Sequence, residues 1–78
     1  MTTQELVKLV MKSSDSHPYK GKLSKKENIE AAIELCELCK KFASEGMEDE
    51  AMNIPVEQWD DAIDTLQGYL TAYWPTEI

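Results

Sequence analysis

The segment between Ser24 and Gly46 constrains the fold of this chain more than any other part of the sequence. Ser24 and Glu27 form an S-x-x-E capping box, typical of a helix start, and glycine commonly follows a helix end. At about 100° per residue, the apolar residues between them cover roughly 220° of the helix circumference, whereas a helix with one neighbour needs little more than about 100°. They are Ile29, Ala31, Ala32, Ile33, Leu35, Cys36, Leu38, Cys39, Phe42 and Ala43. We therefore predict a central helix over residues 25–45, with neighbours on two sides.

The pattern of a shorter helix occupies residues 3–13. Thr2 and Glu5 can form a second capping box, and the apolar residues that follow cover one broad side of the helix. Residues 14–23 lose this pattern, because they contain Pro18, which cannot continue a helix, and a cluster of serine, glycine and lysine. We predict a first helix and then a basic loop.

A third helix is predicted over residues 54–74, after an acidic connector at residues 46–53. Asn53 is a favoured N-cap residue, and Pro55 is tolerated in a first helical turn. The apolar residues of the segment follow the 4-3 spacing of a heptad repeat: Trp59, Ile63, Leu66, Leu70 and Tyr73. Residues 1–78 thus predict a single all-α domain, a small three-helix bundle with the second helix central.

Charge is distributed unevenly along the chain. Up to Lys41, eight lysines oppose six carboxylates, which gives +2, and after Lys41 nine carboxylates and no basic residue give −9, for a total of −7. Like charges three or four residues apart on a helix repel, so a sequence selected for stability alone would mix in lysines. We interpret the carboxylates of the connector and third helix as a candidate docking surface for a basic partner protein, with solubility as the alternative. They are Glu48, Asp49, Glu50, Glu57, Asp60, Asp61 and Asp64.

The end of the third helix carries a second candidate binding surface, formed by Tyr69, Tyr73 and Trp74. Aromatic residues at helical spacing usually belong to a core. This chain has two tryptophans and three tyrosines, more than a three-helix core of this size easily covers, and such residues are typical interface anchors. We expect this aromatic end to bind a partner.

Cys36 and Cys39 form a C-x-x-C motif, which can carry redox chemistry or bind zinc. Redox pairs normally sit at a helix N-terminus, whereas these two lie in the middle of the predicted helix. A structural zinc site needs four ligands, and His17 is the only histidine of the chain. We therefore predict that both cysteines pack in the core and that the protein uses no metal or cofactor.

Two other groups of polar residues have the composition of functional sites without their spacing. Asp15, Ser16 and His17 are the residue types of a hydrolase triad, but a triad is assembled in space, and adjacency in a loop does not indicate one. The lysines around the basic loop could meet phosphates, yet no P-loop motif accompanies them. The sequence predicts no catalytic residue, no enzymatic activity and no direct binding of nucleic acid.

The sequence also predicts no membrane association and a cytoplasmic location, because it lacks an apolar stretch of about 18 residues and a signal-peptide pattern. In size, acidity and lack of catalytic residues, the chain looks like the small accessory proteins of phages and mobile elements. Two functions fit these features. The first is a non-enzymatic protein-interaction module, in its sharpest form an inhibitor or nucleic-acid mimic that docks on a basic site. The second is a structural homo-oligomer, a dimeric helical bundle with no separate ligand.

Overall fold

The computed structural model describes residues 2–19 and 21–73, apart from the side chain of His17. The described part of the chain forms α1 (Thr3–Ser13), β1 (Ser16–His17), β2 (Gly21–Lys22), α2 (Lys25–Ser44) and α3 (Val56–Tyr73). The helices pack against one another, so the predicted all-α three-helix bundle is confirmed.

α2 is the central helix of the bundle. Its most extensive contact is with α3, and it also packs against α1, which in turn touches α3. The largest fully buried side chains come from all three helices: Leu6, Val10, Ile29, Cys36, Trp59 and Leu66. Among the described residues no polar or charged residue is buried, so the removal of apolar surface from water holds the helices together.

The predicted capping box starts α2. The amide of Glu27 donates to the Ser24 Oγ at 3.3 Å, and the amide of Ser24 donates to the Glu27 carboxylate at 3.2 Å. The helix ends at Ser44, one residue earlier than predicted, and Gly46 follows with a φ of 79° that glycine adopts at little cost. The capping box and the glycine therefore predicted both ends of α2 to within one residue.

α1 and α2 are joined by a short antiparallel hairpin, in which Ser16 pairs with Lys22 and His17 with Gly21. The φ of Gly21 is 73°, which suits glycine at this turn. The sequence pattern predicted a plain loop here, because strands of two residues are too short to show alternation of apolar and polar positions.

Hydrogen bonds at the end of α1 tie this helix to the first turn of α2. The Ser14 Oγ donates to the Val10 carbonyl oxygen at 2.8 Å. With its NH2 group turned toward α1, the Asn28 amide donates to the Ser14 Oγ and to the Met11 carbonyl oxygen, both at 2.9 Å. The carboxyl end of α1 therefore lies beside the amino end of α2.

The acidic connector, residues 46–53, is a compact series of turns. Ala51 is fully buried, and Ile54, which follows the connector, is also part of the core. Asn53 has a φ of 57°, in the left-handed region, whereas an N-cap residue has an extended backbone, so Asn53 is not the N-cap that the sequence predicted. α3 begins at Val56, two residues later than predicted, because the chain first turns to bury Ile54.

Cys36 and Cys39 are free thiols buried in the core, which confirms the predicted packing. Burial raises the pKa of Cys36 to about 12, with smaller contributions from the neighbouring Cys39 and Glu37, and burial also raises the pKa of Cys39. A thiol must ionise to act as a nucleophile or metal ligand. In residues 2–19 and 21–73, no three His, Cys, Asp or Glu side chains are grouped so as to hold a metal ion.

The capping box yields a test of what starts α2. We expect Ser24→Ala to lower the free energy of unfolding by about 1 kcal/mol, because the Glu27 amide loses its acceptor. The control is Ser44→Ala, since the Ser44 hydroxyl is exposed and donates to a carbonyl oxygen at the other end of the helix. Urea unfolding followed by circular dichroism measures both variants, and equal losses would contradict the role of the cap.

The buried thiols yield a test of packing and pH dependence. A thiol whose folded pKa is raised contributes stability that is present below its unfolded pKa and is lost as the pH rises through the folded pKa. For Cys36 this range runs from 9.0 to about 12. We expect C36A/C39A to lower the free energy of unfolding by roughly 1–3 kcal/mol at neutral pH through lost packing.

The same variant should lose less stability than the unaltered protein when the pH is raised from about 7 to about 10, because it no longer has thiols to ionise. Urea unfolding of both proteins at the two pH values measures this difference. All other side chains are the same in both proteins, so their contributions cancel in the comparison. Parallel losses of stability would show that the thiols make no contribution to the alkaline transition.

Candidate functional site

The carboxylates of the connector and α3 form an acidic surface on the outside of the bundle. Trp59, Ile63 and Leu66 point into the core, so the residues between them on the helix point toward solvent. All the carboxylates that the sequence singled out are exposed, and they define the acidic surface: Glu48, Asp49, Glu50, Glu57, Asp60, Asp61 and Asp64. The acidic surface thus covers the first half of α3 and the turns that lead into it.

One lysine from α2 reaches this surface. The Lys40 Nζ lies 2.7 Å from the Asp60 Oδ1, and both side chains are partly exposed. The hydrogen bond to Asp60 raises the pKa of Lys40 most, followed by the charge of Asp60, while Asp64 and Glu37 add to the increase. The sequence does not indicate this pair, because the two residues are 20 apart along the chain and lie on different helices.

The other carboxylates of the acidic surface remain open to a partner. Within the described residues, no hydrogen bond or salt bridge involves the carboxylate of Glu48, Asp49, Glu50, Glu57, Asp61 or Asp64. Glu57 lies in the first turn of α3, where the helix dipole favours a negative charge. Asp61 and Asp64 lie further along α3, three residues apart, where like charges on a helix surface repel each other.

Tyr69 and Tyr73 line a cleft at the far end of α3, which we call the aromatic cleft. Its volume is about 290 Å³, and its other lining residues are Met11 of α1 and Lys25 and Ile29 of α2. The Lys25 Nζ lies 5.0 Å from the centroid of the Tyr73 ring, a cation–π distance. Tyr69 is 37% exposed and Tyr73 is 63% exposed, so both rings are accessible from solvent.

The sequence indicated the tyrosines of this cleft but not the residues opposite them. Met11 and Lys25 come from other helices, and no spacing within α3 points to them. Tyr73, which the heptad spacing placed in the apolar seam, is largely exposed, because the seam continues past the packed part of the bundle and Leu70 is already only half-buried. Trp74, the third predicted member of the aromatic end, lies outside the described residues.

The apolar surface of α2 extends beyond what its neighbours cover. α1 has 11 residues and α2 has 20, so at about 1.5 Å per residue α1 can lie along roughly half of α2. The apolar residues left at the surface form a row with 4-3-4 spacing, which we call the α2 outer stripe: Ala31, Leu35, Leu38 and Phe42. Leu38 is 48% exposed and the other three are partly exposed. The wide apolar arc predicted from the sequence therefore has one strip that faces solvent.

The lysines around the start of α2 are exposed: Lys22, Lys25 and Lys26. The Ser24 hydroxyl already accepts the Glu27 amide, which reduces what this helix end can offer to an anion. Lys20 and the side chain of His17 lie outside the described residues. The expected absence of a phosphate site and of a catalytic triad therefore stays a prediction.

The acidic surface, the aromatic cleft and the α2 outer stripe occupy different parts of the bundle. Within the described ranges, no helix is both long enough and apolar enough to cross a bilayer. Comparison of the chain with protein-family models, with curated protein sequences and with solved structures finds no match.

Proposed function

We propose that this protein is a non-enzymatic interaction module that docks its acidic surface on a basic site of a partner protein. The observation that carries the proposal is that most carboxylates of this surface are exposed and make no side-chain hydrogen bond or ion pair within the described residues. No lysine or arginine follows Lys41, so the connector and α3 contain no positive side chain of their own. A surface that serves solubility alone usually intersperses both signs.

The sharpest form of this function is an inhibitor that mimics nucleic acid. Carboxylates along one helix present negative charges on a rigid support, and a protein site that binds a phosphate backbone attracts such charges. The net charge of −7 also accelerates the encounter with a basic site. The small accessory proteins of phages and mobile elements, which the chain resembles in size and acidity, are the setting in which we place this function.

The burial of both cysteines supports a role without catalysis. Cys36 and Cys39 are the side chains of this sequence best suited to nucleophilic chemistry, and the raised pKa of each keeps it protonated at neutral pH. The exposed surfaces instead offer carboxylates and aromatic rings, which recognise a partner without reacting with it.

A second function, a structural homo-oligomer, is favoured by the α2 outer stripe. Exposed apolar rows at heptad spacing are typical of helices that pair with another helix. Leu38 is the most exposed member of this row. This function does not compete with docking of the acidic surface, because the two surfaces belong to different faces of the bundle.

The variant D61N/D64N tests the acidic surface, and E30Q/E45Q is its control. Each variant removes two negative charges from exposed positions, but the control positions belong to α2 and its end. Asp60 is kept, since it holds Lys40. We expect both variants to fold like the unaltered protein, because exposed side chains contribute little to the core.

Capture of partners from a cell lysate at low and at high salt gives the measurement. We expect a partner that the unaltered protein and E30Q/E45Q retain at low salt, and that D61N/D64N or high salt releases, because screening weakens attraction between exposed charges. With that partner purified, the acidic-surface variant should associate about ten-fold more slowly, and added nucleic acid should compete for the site. Unchanged affinity and salt dependence in D61N/D64N would leave the aromatic cleft as the candidate docking surface.

A further inference from the structure

The α2 outer stripe has the geometry of half a helix pair. Its members, Ala31, Leu35, Leu38 and Phe42, alternate in steps of four and three residues, and at about 100° per residue they lie roughly 120° from the centre of the buried face of α2. Leu35 packs against the edge of the core, whereas the other three do not belong to the core cluster. The row therefore faces away from α3 and is free to meet another helix.

We propose that this stripe binds the same stripe of a second copy of the chain, with the two α2 helices antiparallel across a two-fold axis. In such a pair, residues whose numbers add to one constant value lie opposite each other. Leu35 then lies opposite Leu38 of the second copy and Ala31 lies opposite Phe42, because the residue numbers in both pairs add to the same sum. All four residues of each stripe are then used in a single register, with the largest side chain opposite the smallest.

Charges beside the stripe favour the same register. Glu34 and Lys41 lie on one flank of the stripe, and both are exposed. In the antiparallel pair this flank meets the same flank of the second copy. Measured along the helix axis, Glu34 of one copy then lies two residues, or about 3 Å, from Lys41 of the other copy. Long side chains span that offset, so the two-fold axis creates two Glu–Lys pairs that flank the middle of the apolar contact. At each end of the contact, Glu45 comes near Glu27 of the second copy, whose carboxylate accepts the Ser24 amide.

A parallel pair lacks this complementarity. The flank with Glu34 and Lys41 would then meet the opposite flank of the second α2 helix, where Asn28 and Cys39 lie. Asn28 is bound to the end of α1 and Cys39 is buried in the core, so neither offers a charge to the pair. Antiparallel helix dipoles also attract, whereas parallel ones repel.

The dimer is concentration-dependent. Four side chains from each copy bury less than the roughly 800 Å² per partner of a standard stable interface, so we expect a reversible dimer. Its formation deepens the structural function described above and does not depend on the acidic surface, which belongs to α3 and the connector. Failure of one leaves the other standing, because each is measured by a separate experiment.

Single charge reversals test the register. We expect the weight-average mass in sedimentation equilibrium to rise from 8.9 kDa toward twice that value as the protein concentration increases. E34K brings lysines together across the axis and K41E brings glutamates together, so each should weaken dimerisation about five-fold or more. The controls K8E, on the outside of α1, and E57K, on α3, change the charge by the same amounts away from the stripe and should dimerise like the unaltered protein.

The decisive measurement mixes the two weakened variants. In a mixed pair, both lysines of the E34K chain face both glutamates of the K41E chain, so an equimolar mixture should dimerise more strongly than either variant alone. The double variant E34K/K41E should likewise recover the dimer, and L38E should remove it while circular dichroism shows an intact fold. A mass of 8.9 kDa at every concentration overturns the proposal. A dimer that the reversals and the controls affect equally, or a mixture without recovery, overturns the antiparallel register.

Discussion

The packing of α2 against α3 is the interaction on which the rest of the structure depends. Trp59 is the largest fully buried side chain, and it joins residues of all three helices in one core cluster. Within the described residues its indole Nε1 has no hydrogen-bond partner, a loss of about 1–3 kcal/mol that the burial of a large aromatic ring offsets. α1 is shorter and adds three buried residues to a surface that α2 and α3 already define. Hydrogen bonds from Asn28 hold the carboxyl end of α1, and the apolar contacts hold the rest of this helix against the bundle.

The same packing decides which side chains remain for interaction. Because Trp59, Ile63 and Leu66 turn inward, the carboxylates between them turn outward on one helix. Because α1 is only about half as long as α2, part of the apolar arc of α2 stays at the surface. The acidic surface and the α2 outer stripe thus arise from one arrangement of helices, and they differ in chemistry: one attracts opposite charge over a distance, and the other binds only in contact.

The helices were predictable from the sequence because their signals are local. Capping residues and apolar periodicity located α1 and α2 to within one residue at each end, and they identified the exposed carboxylates of α3. The start of α3 was wrong, because the burial of Ile54 overrode the N-cap preference of Asn53. The Lys40–Asp60 pair and the lining of the aromatic cleft join residues of different helices. No spacing along the chain encodes such contacts, since they depend on how the helices are rotated against one another.

The composition of the core has a consequence for how this protein can change over evolutionary time. None of its buried residues in the described ranges is polar or charged, so the fold is specified by apolar volume and pattern, and cores of that kind accept many substitutions of similar size. The outer faces are under no comparable restriction, because exposed substitutions away from caps usually alter stability by less than about 0.5 kcal/mol. Such a scaffold can exchange one recognition surface for another while the helices beneath it stay in place, which suits a small protein whose partner is itself evolving.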